Sequence, residues 1–261
     1  MKKVTHIMHK STHAAALIAA LFGVLMTGCH DAKNPWSDPQ MPDSTEVTFS
    51  THTFTSTNGE SFPYAVYVPS NYSSETRWPA LLFLHGLGER GSDGVKHTTV
   101  GLGKAIRDNP DRFPCIVIMP HCPDDRRWTG SMEPVVIGML DEAMTKYSID
   151  SDRIVLTGLS MGGFGTWAVG RTYTDRFAAL APICGGGEPY AVESLAQIPI
   201  WCFHGGDDNV VAPDRSREMV AAVQAAGGNI KYTEYPGVNH NSWDPTYGDP
   251  EVIAWMLEQN R

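Results

Sequence analysis

The sequence lacks an excess of positive charge. Its 261 residues include 20 lysines and arginines against 29 acidic residues, so the net charge at pH 7 is −9. Proteins that bind nucleic acid neutralise phosphates with lysine and arginine, so this balance argues against such a partner. The histidines, cysteines and acidic residues also lack the spacing of a metal-binding motif. We therefore expect no nucleic-acid partner, no metal and no organic cofactor.

The sequence also has no apolar run near its start that is long enough to span a membrane. The apolar segment 14–26 is shorter than the ~20 residues that a spanning helix needs. It follows three lysines, and no acidic residue precedes Asp31, which is the pattern of a secretory signal. The segment ends in "LMTGC", residues 25–29, which resembles a bacterial lipobox. In that motif the cysteine is lipidated and becomes the first residue of the mature chain.

This N-terminus predicts how the chain is organised. We predict a lipoprotein signal over residues 1–28, lipidation of Cys29, a polar tether over 29–46 and one folded domain over 47–261. An ordinary cleaved signal near the same place is the alternative. His30 follows the cysteine where an aspartate would favour the inner membrane, so we expect an exported protein anchored to the outer membrane. The domain would lie in the periplasm or at the cell surface, with the anchor as its contact with the membrane.

Residues 47–261 alternate between apolar runs and helical stretches. Two strand-like runs joined by Asn58-Gly59 predict an antiparallel hairpin. Continuous apolar runs follow at 80–86, 115–121, 153–160, 177–185 and 198–205, with helical stretches between them and a last strand at 230–237. Such an alternation predicts an α/β domain whose mostly parallel sheet of about eight strands is covered by helices on both faces.

A glycine-flanked serine follows the strand at 153–159. Residues 158–162, "GLSMG", fit G-x-S-x-G at a strand-to-helix junction. In that tight turn the hydroxyl of Ser160 is exposed at the end of the strand. Side chains two residues before and after the serine would collide, so both positions need glycine. We predict that Ser160 is a nucleophile; the alternative is a glycine turn with an incidental serine.

A serine hydroxyl needs a base, which in turn is oriented by an acid. In a strand–turn–helix site of this kind the chain order is serine, acid, histidine. His240 lies on the loop after the last strand, downstream of every candidate acid, and is the predicted base. Asp207 and Asp208 both lie on the loop after the preceding strand. The spacing from the histidine of His204-Gly205-x-x-Asp favours Asp208, and Asp207 remains the alternative.

The reaction of a serine nucleophile also needs backbone donors for the oxyanion. One donor is the N–H of Met161, directly after the nucleophile. The second is expected from the glycine-containing loop at 85–91, where the N–H of Leu87 is favoured and that of Gly86 is the alternative. Glycines in this loop let the backbone approach the substrate closely.

These motifs together resemble the α/β-hydrolase superfamily over essentially the whole domain 47–261. "FLHGLGERG", "TGLSMGGFGTW", "PICGGG", "FHGGDDNVV" and "YPGVNHNSW" resemble bacterial esterases often labelled predicted peptidases, which are close to the phospholipase/carboxylesterase family. The resemblance implies a serine esterase with Ser160, Asp208 and His240 as its triad. Relatives commonly carry Pro-Gln-Cys-Pro where this chain has Pro120-His121-Cys122-Pro123, so His121 either contacts substrate or satisfies a loop carbonyl.

The loops suggest an open site. In this superfamily a cap enters after the strand that follows the nucleophile helix, and here the segment between those strands is too short to build one. Trp128 and Trp243 lie on loops expected on the same side of the sheet as Ser160, where they either stack on a sugar or phenolic ring or only cover the core. Cys122 and Cys184 both follow strands, and a disulfide between them is an open alternative to two free thiols.

The sequence thus predicts a serine carboxylic-ester hydrolase whose catalytic domain is 47–261. An open site favours small-molecule or polysaccharide ester substrates, either short-chain acyl esters or acetyl and feruloyl groups on carbohydrate. A serine peptidase of the same fold is the enzymatic alternative. A non-catalytic surface binding protein is the alternative from another class, and labelling by a fluorophosphonate separates it from the enzymes.

Overall fold

The computed structural model describes residues 47–261. The predicted signal, Cys29 and the tether lie outside these residues, so the segment boundaries and the lipidation stay predictions. Among the helices of the described part, none is both long and apolar enough to cross a membrane.

An eight-stranded sheet forms the centre of the described domain. Its strands are β1 Ser50–Thr55, β2 Ser61–Tyr67, β3 Trp78–Leu84, β4 Ile116–Pro120, β5 Ile149–Leu159, β6 Ala179–Ile183, β7 Ile200–Gly205 and β8 Ile230–Tyr235. The α-helices of residues 47–261 are α1 Leu102–Asp108, α2 Glu133–Lys146, α3 Met161–Thr172, α4 Asp214–Ala225, α5 Trp243–Gly248 and α6 Pro250–Glu258. Strands and helices alternate along the chain, as the sequence predicts.

The strand order in space differs from the order in sequence. It is β1-β2-β4-β3-β5-β6-β7-β8, so β4 lies between the hairpin and β3. The hairpin β1–β2 is antiparallel, β2 is antiparallel to β4, and the strands from β4 to β8 are parallel. The carboxyl ends of these parallel strands therefore meet at one edge, which we call the catalytic edge.

Alternate residues of the central strands enter two hydrophobic cores. Leu82 and Leu84 of β3 belong to a core shared with α2, α3 and α4. Leu81 and Phe83 belong to the opposite core, shared with α1, α5 and α6. Because a strand directs successive side chains to opposite faces, a strand buried on both faces is apolar throughout. The prediction of helices on both faces of a mostly parallel sheet is confirmed.

The segment between β6 and β7 is short. It covers residues 184–199 and contains one 3-10 turn, Ser194–Gln197, so no cap is built there. No disulfide joins the cysteines of residues 47–261: Cys115, Cys122, Cys184 and Cys202 are all buried free thiols. Cys122 packs in the first core and Cys184 in the opposite one, which explains why the disulfide alternative is wrong.

Candidate active site

Ser160 occupies a strained turn between β5 and α3. Its φ is 54° and its ψ −114°, a conformation that a residue with a side chain rarely adopts. A Cβ atom on Gly162 would lie 1.8 Å from the carbonyl oxygen of Leu84, and one on Gly158 would lie 2.5 Å from that of Gly162. Glycine is therefore required on both sides of Ser160, because the helix start, β3 and β5 approach each other backbone to backbone.

The structure brings the three predicted triad side chains together. The Nε2 atom of His240 lies 2.9 Å from the Ser160 hydroxyl, and its Nδ1 atom lies 2.7 Å from Oδ2 of Asp208. A carboxylate only accepts hydrogen bonds, so Nδ1 carries the proton and Nε2 accepts from the serine. Asp207 is exposed, and its backbone N–H donates to the carbonyl of Val238 instead. The geometry thus favours Asp208 over Asp207, while the catalytic roles remain predictions.

Asp208 is held in place by several donors. It is 6% exposed, and its Oδ1 accepts hydrogen bonds from the backbone N–H groups of Val210 and Val211 at 2.8 and 2.9 Å. Burial by itself raises the pKa of the carboxyl, but hydrogen bonds from His240, Val211 and Val210 together hold that pKa below its ordinary value. Asp208 is therefore ionised and can stabilise a protonated His240.

His204 makes a further contact with the acid. Its Nε2 lies 3.2 Å from Oδ2 of Asp208 and 2.9 Å from the carbonyl oxygen of Val211. Burial lowers the pKa of His204, so its ring is neutral at pH 7. His204 is the histidine of the His-Gly-x-x-Asp spacing, and its contacts show that it braces the loop that presents Asp208.

Both predicted oxyanion donors begin a helical turn at the catalytic edge. Met161 is the first residue of α3, and Leu87 is the first residue of a 3-10 turn, Leu87–Glu89. The N–H groups of a first turn have no partner within their own helix and point out of its N-terminal end. The positive end of α3 also favours negative charge beside Ser160. Each of the two residues thus has a backbone N–H at the start of a helical turn, and their role as oxyanion donors stays a prediction.

Two of the predicted substrate contacts are corrected by the structure. Trp128 is fully buried beneath α3, against Gly165, and its indole N–H donates to the carbonyl of His85 at 2.8 Å. His121 is also fully buried, and both of its ring nitrogens are bonded to backbone groups of the loop at 86–94. Neither side chain is accessible to a substrate, since loop backbone and helix α3 cover them.

Trp243 remains at the site. It is half-buried at the start of α5, and its ring meets the His240 ring edge-on at a centroid distance of 5.4 Å. A role for Trp243 in substrate binding stays a prediction.

The structure also groups residues that sequence reasoning did not connect. Cys184, at the end of β6, has a φ of 40° and is buried beside the triad. One possible metal-ligand atom from each of Cys184, Asp208 and His240 lies within 4.8 Å of the others. These residues follow three different strands, so no spacing in the sequence reveals the group. The hydrogen bond between Asp208 and His240 accounts for the proximity of these two residues. We assign no metal-binding role to the group.

Comparisons with known proteins find similarity to hydrolases. The profile of the dienelactone hydrolase family matches residues 125–247. An uncharacterized secreted protein of Arthroderma benhamiae is 29% identical over 207 residues, covering 65% of this chain and 22% of that protein. A bifunctional acetylxylan esterase/xylanase of Neocallimastix patriciarum is 27% identical over 157 residues, covering 56% and 21%. The chain thus spans about a fifth of the length of these two curated relatives.

A solved structure of a thermostable esterase is similar over most of the chain. It is 35% identical with a TM-score of 0.72, and the match covers 82% of this chain and 63% of that one. A feruloyl esterase module from Clostridium thermocellum and a ferulic acid esterase from Anaeromyces mucronatus, both below 25% identity, share the fold. The predicted α/β-hydrolase fold is confirmed, and the predicted hydrolase of the esterase class agrees with these comparisons.

Proposed function

We propose that this α/β-hydrolase is a serine carboxylic-ester hydrolase. The observation that carries the proposal is the continuous hydrogen-bond chain from Ser160 through His240 to the ionised Asp208, with the serine on a strained turn at the N-terminus of α3. A buried acid that orients an imidazole, and an imidazole that accepts from a partly exposed hydroxyl, are what a serine needs to act as a nucleophile.

The geometry accounts for each step of ester hydrolysis. Oγ of Ser160 attacks the ester carbonyl carbon while its proton passes to Nε2 of His240, and the oxyanion is stabilised by the N–H groups of Met161 and Leu87. Collapse of the tetrahedral intermediate breaks the bond to the alcohol, which takes the proton from Nε2. Water then attacks the acyl-Ser160 ester with His240 again as the base, which releases the acid and restores the hydroxyl.

Short-chain acyl esters and esters on carbohydrate are the proposed substrates. The short segment 184–199 supports this, because within residues 47–261 it builds no cap that would enclose a long acyl chain. The similarity to an acetylxylan esterase/xylanase favours acetyl groups on a polysaccharide. We expect faster hydrolysis of acyl chains of about two to four carbons than of ten or more, since burial of a long chain needs an apolar tunnel. A rate increase on emulsions of long-chain esters would contradict this.

The test of the activity is a substrate panel run with two variants. The panel contains nitrophenyl esters of graded length, acetylated and feruloylated sugars, and an amide. Ser160→Ala should lose at least about 1000-fold in kcat and all labelling by a fluorophosphonate. Ser131→Ala, which removes an exposed serine, is the matched control and should behave as the unmodified protein. Full activity of Ser160→Ala on every ester would refute the proposal, and a preference for the amide would favour the peptidase.

Export with a lipid anchor on Cys29 is also proposed. It is supported by the basic start, the apolar segment 14–26 and the "LMTGC" motif, and by the similarity to a secreted protein. Intact-mass measurement of the mature protein should find an acylated Cys29 as its first residue. Cys29→Ser should lose the acyl mass and leave the envelope fraction. A mature wild-type protein without acyl groups would contradict the anchor.

A further inference from the structure

Three buried histidines lie together beneath the loop that carries Leu87. They are His85 at the end of β3, His97 on a 3-10 turn before α1, and His121 directly after β4, and each is at most 1% exposed. The rings of His97 and His121 stack at a centroid distance of 4.3 Å, and His85 lies 5.4 Å from His121. The ester-hydrolysis mechanism uses none of these rings directly, so their contacts need a separate explanation.

His121 bridges the two ends of the segment 89–94. The backbone N–H of Gly94 donates to its Nδ1 at 3.1 Å, so the ring proton is on Nε2. Nε2–H then donates to the carbonyl oxygen of Glu89 at 2.9 Å. The neutral ring is thus held by one donor and one acceptor, both from the same backbone segment.

The start of the same loop is tied to the residue that follows His121. The N–H of Cys122 donates to Nε2 of His85 at 3.0 Å, and Nδ1–H of His85 donates to the carbonyl of Gly86 at 2.7 Å. The N–H of Gly91 donates to the carbonyl of Cys122 at 3.0 Å. Residues 121–122 therefore anchor the loop from 86 to 94 to the end of β4.

We infer that His121 is a positioning residue that sets where the Leu87 N–H stands relative to the reacting carbonyl. Glu89, whose carbonyl His121 holds, closes the 3-10 turn that begins at Leu87, so the bond to Glu89 restrains the turn as a unit. An oxyanion donor works only when it is fixed before the charge develops, and a displacement of about 1 Å costs on the order of 100-fold in rate. The inference rests on the proposed esterase function.

Glutamine is the conservative replacement that tests this role. Its amide oxygen accepts from Gly94 and its NH2 group donates to Glu89, so His121→Gln keeps both kinds of bond. His121→Leu removes both at similar volume. We expect kcat of His121→Leu to fall about 10- to 100-fold with KM changed less than about 3-fold, because the loss is confined to the transition state. His121→Gln should recover most of kcat.

A boronic acid separates positioning from general destabilisation. Its tetrahedral adduct with Ser160 places an oxygen in the oxyanion site, so its affinity should fall in His121→Leu by about the same factor as kcat/KM. Rates are divided by the concentration of active sites, which is measured from the initial burst of product. The melting temperature of each variant is recorded. His97→Leu is the matched control: His97 donates to the Met119 carbonyl and no hydrogen bond joins its ring to residues 86–94. This variant should keep kcat per active site.

The outcomes test the positioning role of His121 separately from the proposed ester hydrolysis. If kcat per active site of His121→Leu equals that of the unmodified protein, or if His97→Leu loses as much, His121 does not position the loop. If His121→Leu fails to fold, His121→Asn, which is too short to reach both partners, takes its place with the same expected loss of kcat. Inactivity of Ser160→Ala alongside a normal His121→Leu overturns only this inference, whereas an active Ser160→Ala overturns the proposed function.

Discussion

Asp208 is the residue whose replacement tests the triad most directly. In Asp208→Asn the oxygen can still accept from Val210 and Val211, which directs the NH2 group toward Nδ1 of His240. His240 then carries its proton on Nε2, where it can no longer accept from Ser160. We expect kcat to fall about 10³- to 10⁴-fold with little loss of stability, measured by steady-state kinetics and thermal melts.

The neighbouring aspartate provides the control. Asp207→Asn changes the same charge one residue away, on an exposed side chain, and should leave kcat within about 3-fold of the unmodified protein, as surface changes usually do. An inactive Asp207→Asn together with a nearly normal Asp208→Asn would show that the acid is misassigned.

At this scale the sequence predicted which side chains meet at Ser160 better than it predicted the residues around them. Chain order and the glycines of the turn point to Ser160 and His240, because few arrangements allow that chemistry. The structural alternative, and not substrate contact, holds for Trp128 and His121, and the sequence could not decide this because a residue after a strand has the same sequence signature whether it faces the substrate or the backbone of a neighbouring loop. Only packing decides this: Gly165 leaves room for Trp128, and the segment 86–94 covers His121.

At the scale of elements, the contact between α3 and β3 depends on Gly162. Its missing side chain lets the first turn of α3 lie against the end of β3, where a methyl group would overlap the Leu84 carbonyl. Gly162→Ala should therefore destabilise the domain by about 3 kcal/mol and abolish activity, because neither backbone can move alone. Chemical unfolding and ester hydrolysis measure both effects.

Gly248, at the end of α5, is the matched control for that substitution. A Cβ atom there meets nothing within 4 Å, so Gly248→Ala should change the unfolding free energy by less than about 1 kcal/mol and leave activity intact. A Gly162→Ala protein as stable as Gly248→Ala would mean that α3 and β3 are not packed as described.

The elements themselves were largely predictable, but their arrangement was not. The apolar runs correspond to β3 to β7, because strands covered on both faces must be apolar throughout. Helix α5, Trp243–Gly248, was missed because six residues that include Pro245 carry no helical period. The position of β4 between β2 and β3 was also missed, since an apolar pattern records burial and not which strands are neighbours.

For the whole molecule, buried histidines predict a loss of stability in acid. Burial lowers the pKa values of His85, His121 and His204 below the ordinary value, and that of His97 to about 3. Below a pH of about 6.5 the unfolded chain binds protons that the folded domain does not, so stability falls as the pH falls. Each fully buried histidine contributes at most about 1.4 kcal/mol per pH unit in that window.

Urea unfolding at pH 7, 6 and 5 checks this expectation. The unfolding free energy should change little above about pH 7 and fall progressively below 6.5, since protonation of the unfolded chain begins there. His121→Gln, which replaces one titratable ring with a neutral amide, should show a shallower fall than the unmodified protein. Equal unfolding free energies at all three pH values would contradict the neutral state of the histidines.

The residues of the site are spread along the chain, and their order determines when the site becomes complete during synthesis. Leu87 is made early, Ser160 in the middle, and His240 only after the last strand, β8. A nascent chain released from the ribosome as far as β7 has the proposed nucleophile, Ser160, but not the proposed base, His240. Hydrolytic competence therefore arises late, after most of the polypeptide has been made. For a protein proposed to act outside the cytoplasm, we expect a partly made chain to cleave no esters in the compartment where it is translated.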